Sequence, residues 1–164
     1  TSLNYSDYKI NLEEVYRHGI DVELGGHLTE KLSLYFSYAW QTFENQGDEK
    51  AGETELDERA ENRLNVGARY ALFEKTLLML DYYYQSEEVT ETYDEDTDYF
   101  NEVENDPYHL FDVGISQTLI ESKGTLKDMI LSFYIKNLFD ESYYDSSGFP
   151  ATDRTYGVSL SLNI

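Results

Sequence analysis

The sequence predicts an all-β fold: an antiparallel transmembrane β-barrel segment of about seven strands. Three observations carry that prediction. The last segment alternates without error, with Tyr156, Val158, Leu160, Leu162 and Ile164 on one parity and Gly157, Ser159, Ser161 and Asn163 on the other. Successive strand side chains point to opposite faces, so this strand has one apolar and one polar surface. The connections alternate in length, short at 26–31, 73–75 and 120–127, long at 44–61 and 86–107, and intermediate at 140–154. Charge follows the same alternation. Acidic residues crowd the long connections, while Lys31, Lys75, Lys123 and Lys127 sit in or beside the short ones. Bacterial barrels have short periplasmic turns and longer extracellular loops, so two independent patterns agree.

Composition narrows the field. The chain has 164 residues, no cysteine and a formal net charge of −21. Its length suits one domain. A mean hydropathy of −0.60 suggests a soluble protein, but barrels escape that rule because only alternate residues face lipid. No apolar run reaches the length of a transmembrane helix. Lack of cysteine is compatible with export. The negative charge excludes nucleic acid as a partner, since neutralising phosphates needs a basic surface. The opening Thr1-Ser2-Leu3-Asn4-Tyr5 has no basic region and no apolar core, and a truncated N terminus is the preferred reading.

In chain order, 1–13 reads as the end of a loop. The first strand, from Val15 to Leu28, sets Ile20, Val22, Leu24 and Leu28 against Arg17, Asp21, Glu23 and His27. After a turn around Gly26 to Lys31, the second strand alternates Leu32, Leu34, Phe36, Tyr38 and Trp40 with Ser33, Tyr35, Ser37, Ala39 and Gln41. Its apolar row ends on Tyr38 and Trp40, where an aromatic girdle meets lipid headgroups. A third strand carries Leu64, Val66, Ala68, Tyr70 and Leu72 on one parity. After the tight turn Phe73-Glu74-Lys75, a fourth carries Leu78, Leu80, Tyr82 and Tyr84. Ser86 to Pro107 reads as an acidic loop with no basic residue. The fifth strand carries Phe111, Val113, Ile115 and Leu119, the sixth Met129, Leu131, Phe133 and Ile135. A strand of ~10 residues rising ~3.3 Å each and tilted ~45° spans ~23 Å, about the height of a lipid-facing band. The expected lipid-facing residues are Leu32, Leu34, Phe36, Tyr38, Trp40, Tyr156, Val158, Leu160 and Leu162.

The C-terminal third carries Asn137-Leu138-Phe139-Asp140, then Tyr143 and Tyr144, then Gly148-Phe149-Pro150, and Arg154-Thr155-Tyr156 opening the last strand. The order and spacing of these pieces resemble the end of a TonB-dependent outer-membrane receptor. Arg17-His18-Gly19-Ile20-Asp21-Val22-Glu23-Leu24 is similar to another strand of that family. The resemblance takes Asn137, Leu138, Phe139, Asp140, Gly148, Pro150, Arg154 and Tyr156 as the signature. It implies that residues 1–164 are the C-terminal part of a barrel of about 22 strands closed around a plug. Seven is an odd count and too few to enclose a transport lumen, whereas bacterial barrels have even counts. The plug, and the segment that contacts TonB, would then lie outside this chain. By the same implication the protein sits in the outer membrane of a Gram-negative bacterium and imports a scarce nutrient such as a siderophore, cobalamin or a glycan fragment. Its partners would be outer-membrane lipid, the rest of the barrel with its plug, TonB, and an extracellular ligand.

Nothing points to catalysis. Asp94-Glu95-Asp96-Thr97-Asp98 begins like a calcium loop, but Tyr99 replaces the needed Gly and Asn105 the closing Glu. A solvated acidic loop is the plainer reading. His18, His27 and His109 lack metal-ligand spacing, with His109 placed at a strand entrance. No nucleophile or phosphate-loop motif occurs, and no cofactor or metal is expected. Arg17, Asp21, Glu23, Arg69, Asp81 and Asp112 read as lumen-wall residues paired with each other, with a plug or with water, the sharper alternative being a substrate path. The loop tyrosines Tyr93, Tyr99, Tyr143 and Tyr144 suit either ligand contact or a girdle. Two alternatives stand beside this reading. One is a small complete eight-stranded barrel, with 1–13 as its missing strand and a structural or adhesive role. The other is a soluble acidic β-sandwich that buries the Leu32–Trp40 and Tyr156–Ile164 rows under a second sheet.

Overall fold

The computed structural model describes residues 15–45, 60–94, 99–123, 126–146 and 149–163. The predicted strands appear as β1 (Val15–His27), β2 (Leu32–Asn45), β3 (Asn62–Phe73), β4 (Thr76–Gln85), β7 (Tyr108–Lys123), β8 (Leu126–Lys136) and β11 (Thr155–Asn163). They form one seven-stranded antiparallel sheet in the order β1-β2-β3-β4-β7-β8-β11, with β1 and β11 as its two edges. Each of these seven strands pairs with the next of the seven in chain order, an antiparallel meander whose connections are alternately short and long.

Register decides the faces. Ile20 lies opposite Trp40, Val22 opposite Tyr38 and Leu24 opposite Phe36. Phe36 lies opposite Val66, Val66 opposite Tyr82, and Tyr82 opposite Phe111. Val113 then faces Ile135, and Ile135 faces Tyr156. The apolar rows of all seven strands therefore merge into one continuous face. A slip of one residue at any pairing would have turned a whole row to the other side. Polar residues sit toward the ends of this face: Gln117 Oε1 accepts a hydrogen bond from its neighbour Thr76 Oγ1 at 2.7 Å. The opposite face is mostly polar but includes Leu77, Met79 and Leu110.

Two connections differ from expectation. The acidic stretch after β4 is a hairpin, β5 (Glu88–Asp94) paired with β6 (Tyr99–Asn105), which makes a separate two-stranded sheet. Its register sets Tyr93 against Phe100 and Thr90 against Val103. β-Branched and aromatic residues favour strands, and the high acidic content had masked them. The last connection holds two very short strands, β9 (Tyr144–Ser146) and β10 (Phe149–Pro150). A smaller correction concerns β7, where the register shifts between Thr118 and Ile120. Ile120 pairs with Met129 and rejoins the apolar row, while Leu119 falls in the irregularity. Such a bulge inserts one residue and reverses the parity beyond it.

Hardly anything is buried. Among the described residues the buried hydrophobics are Phe43, Ala60 and Tyr108, all near the end of the sheet that bears the long connections. No second sheet lies on either face of the seven-stranded one among the described residues. Tyr156 is 70% exposed and Val158 65%, which removes the sandwich and its buried rows. The strand that the small-barrel alternative draws from 1–13 lies outside the described residues.

Candidate functional site

The polar face is organised by tyrosines laid over glycines. β2 places Tyr35 opposite Gly67 of β3, and a Cβ on Gly67 would fall 1.8 Å from the Tyr35 ring. The ring thus crosses the backbone of the neighbouring strand and reaches β4, where Tyr35 Oη donates to Asp81 Oδ1 at 2.5 Å. Arg69 closes the group. Its Nη1 donates to the same Asp81 oxygen at 2.9 Å and to the Leu80 carbonyl at 3.2 Å, while its guanidinium lies 5.5 Å from the Tyr35 ring centre. That distance is within cation–π range. Tyr134 of β8 repeats the motif over Gly157 of β11, where a Cβ would fall 1.9 Å from its ring.

Asp81 stands directly opposite Asp112 on β7. Like charges at that spacing destabilise a strand pair, and each carboxylate is drawn to a different partner. Asp81 takes Arg69 and Tyr35. Asp112 Oδ1 accepts the Asn137 backbone N–H at 2.9 Å.

Asn137 begins a clasp at the end of β8. Asn137 and Asp140 have φ of 52° and 61°, a left-handed conformation that Asn and Asp tolerate better than other residues with a Cβ. The Asn137 side chain, 5% exposed, imitates a strand: Nδ2 donates to the Glu141 carbonyl and Oδ1 accepts the Glu141 N–H, both at 2.8 Å. Asp140 Oδ1 then accepts the Arg154 backbone N–H at 2.8 Å, and Arg154 Nη2 lies 3.3 Å from Asp140 Oδ2. Arg154 Nη1 also donates to the Leu138 carbonyl at 3.1 Å. Asn137, Leu138, Asp140 and Arg154 therefore tie the start of β11 back to the end of β8. Phe139, 68% exposed, sets its ring edge-on to Phe111 at 5.1 Å.

The other signature residues are not part of the clasp. Pro150 lies in β10 opposite Tyr144, and Tyr156 opens the apolar row of β11. Gly148 lies outside the described residues. Leu32, Leu34, Phe36, Tyr38 and Trp40, and Tyr156, Val158, Leu160 and Leu162, all fall on the apolar face. His109 is at the entrance of β7, on that same face, stacked on Tyr84 at 4.8 Å and bonded through Nδ1 to Tyr82 Oη at 2.8 Å. Tyr143 packs against the buried Tyr108 with ring centres 4.3 Å apart. The rejected calcium loop lies partly outside the described residues. Among those described, no group of three acidic or histidine side chains could hold a metal. Residue patterns had not pointed to Tyr35, Gly67 or Glu141. Each acts through a partner set by register or by a local turn.

An open antiparallel meander with one continuous apolar face and a cross-braced polar face defines the wall of a membrane β-barrel. The chain belongs to the TonB-dependent receptor-like β-barrel family, whose model matches residues 1–138. That match reaches Asn137 and Leu138 and stops before the rest of the signature. Families of this kind comprise outer-membrane transport receptors, not enzymes. The ferripyoverdine receptor of the outer membrane of Pseudomonas aeruginosa, solved with ferripyoverdine bound, superposes with a TM-score of 0.73. It is 16% identical, over 95% of this chain and 22% of that one. The FpvAI–pyocin S2 complex gives a TM-score of 0.74 at 16% identity, over 89% of this chain and 20% of that one. The chain spans about a fifth of the length of these receptors. No curated protein matches it.

Proposed function

We propose that this chain is part of the barrel wall of an outer-membrane active-transport receptor that takes up a scarce nutrient, a ferric siderophore first among the candidates. One observation carries the reading: the register brings the apolar rows of all seven strands onto a single uncovered face. Large contiguous apolar patches are rare on soluble monomers; in a bilayer such a face is the surface lipid requires. Leu32, Leu34, Phe36, Tyr38, Trp40, Tyr156, Val158, Leu160 and Leu162 are the lipid-facing residues in this reading. The long acidic connections face the outside and the short turns the periplasm. The polar face, with Tyr35, Arg69, Asp81 and Asp112, lines the lumen, where a plug and cargo would meet it.

On this proposal residues 1–164 form a single barrel domain, and energy arrives through TonB acting on a plug that this stretch does not supply. The cargo class is supported by the receptor of the same fold that was solved with ferripyoverdine bound. Uptake of labelled ferric siderophores by iron-starved cells, with and without the gene and with and without TonB, tests it. Uptake that requires both is the expected result. Siderophore uptake unaffected by loss of the gene would remove the cargo assignment.

A further inference from the structure

At the end of the polar face that bears the long connections, a cavity of about 420 Å³ opens between β7, β8 and the strap that leads into β11. Asp112, Lys136, Tyr143, Thr152, Asp153 and Thr155 line it. Its size is that of a small-ligand pocket. The walls are braced from behind. Asp112 is held by the Asn137 N–H, and Tyr143 is packed on Tyr108. The strap is pinned by the Ala151 N–H to the Tyr143 carbonyl at 2.9 Å and by Arg154 on Asp140.

Its charges are arranged unusually. One cation and two carboxylates share the cavity, yet among the described residues no ion pair joins Lys136 to Asp112 or Asp153. Unlike charges that border one space without closing on each other leave both signs available to a guest. Lys136 offers three donors with no acceptor, and the carboxylates offer acceptors only. We infer that this cavity binds a zwitterionic group of amino-acid type, its carboxylate on Lys136 and its ammonium between Asp112 and Asp153. Thr152 and Thr155 supply hydroxyls for the backbone polar atoms of such a group, and Tyr143 a flat wall for its side chain. This rests on the reading of the polar face as the cargo path and specifies the part of the cargo that this wall recognises.

The test uses the detergent-extracted protein and three probes: alanyl-alanine, its N-acetyl derivative and its C-terminal amide. Saturation-transfer NMR should detect alanyl-alanine, and masking either end should weaken binding about tenfold, the loss of one charge-assisted bond. Lys136→Met should abolish the preference for the free carboxylate, and Asp153→Asn should reduce the preference for the free ammonium, Asp112 remaining. Equal signals from all three probes on the unaltered protein would overturn the proposal, whatever the variants do. Probe discrimination that the two variants leave unchanged would also overturn it at this cavity. Selective binding without TonB-dependent uptake would keep the pocket and sink the transport reading. Uptake without end-group discrimination would do the reverse.

Discussion

Gly67 and Gly157 are needed for the space above them. Tyr35 and Tyr134 occupy the volume that any side chain at those positions would take, and Tyr35 cannot withdraw without releasing Asp81. Gly67→Ala should therefore lower stability by about 1–3 kcal/mol, the usual cost of overpacking, read as the urea midpoint in detergent. In a Tyr35→Ala background the same Gly67→Ala change should cost far less, because the clash disappears with the ring. Asp140 gives a second residue-level expectation. Asp140→Ala removes both the Arg154 contacts and the side chain that tolerates φ of 61°, whereas Asp140→Asn keeps the tolerance and an acceptor. Trypsin should cut after Arg154 fastest in the alanine variant, slower in the asparagine variant and slowest in the parent. Of these residues, Asn137, Asp140 and Arg154 were legible in the sequence as a motif, though not as a clasp. Tyr35 and Gly67 were not legible as partners, because they lie 32 positions apart and only register brings them together.

At the scale of the strand, two neighbours on β2 separate the faces. Phe36 belongs to the apolar row and Ser37 to the polar one. Phe36→Lys should destabilise the folded state in vesicles by about 2–4 kcal/mol, the depth-dependent cost of a cation on the lipid side of a barrel. Ser37→Lys should change it by far less. Seven strands could be placed from alternation, error-free in the last and less clean in the sixth, because a sustained period of two marks a half-buried strand. The β5–β6 hairpin escaped that reading. Its strands are seven residues each, and acidic residues share their rows with Val89, Tyr93 and Phe100, so no clean hydrophobic period was visible. The bulge near Leu119 escaped for a different reason: one inserted residue leaves a local sequence unchanged and alters only which face follows.

For the molecule as a whole, antiparallel pairing puts the 74–75 turn and the Glu87 connection at opposite ends of the sheet. The chain has no cysteine, so within these residues each single substitution introduces the one thiol. A membrane-impermeant maleimide applied to intact cells should react with Glu87→Cys and not with Lys75→Cys, and permeabilisation should equalise them. The reverse pattern would invert the assigned orientation. Charge placement pointed to this from sequence because the stretch from Ser86 to Pro107 holds ten carboxylates and no Lys or Arg. The cavity at Lys136 was beyond sequence reasoning. Its walls come from β7, β8 and the strap before β11, which only the completed sheet brings together.

The edges of the sheet set the order in which the molecule can be built. Among the described residues, every second residue along β1 and along β11 points its N–H and C=O away from the sheet. In hydrocarbon each such group left bare costs several kcal/mol, so neither border can enter a bilayer before another strand is laid along it. The sheet is thus a template with two growth fronts, and each strand added removes one front and presents the next. Insertion has to follow the capture of strands at both borders. Until then the nascent chain exposes open edges and an apolar face together, the combination most prone to pairing with a stranger.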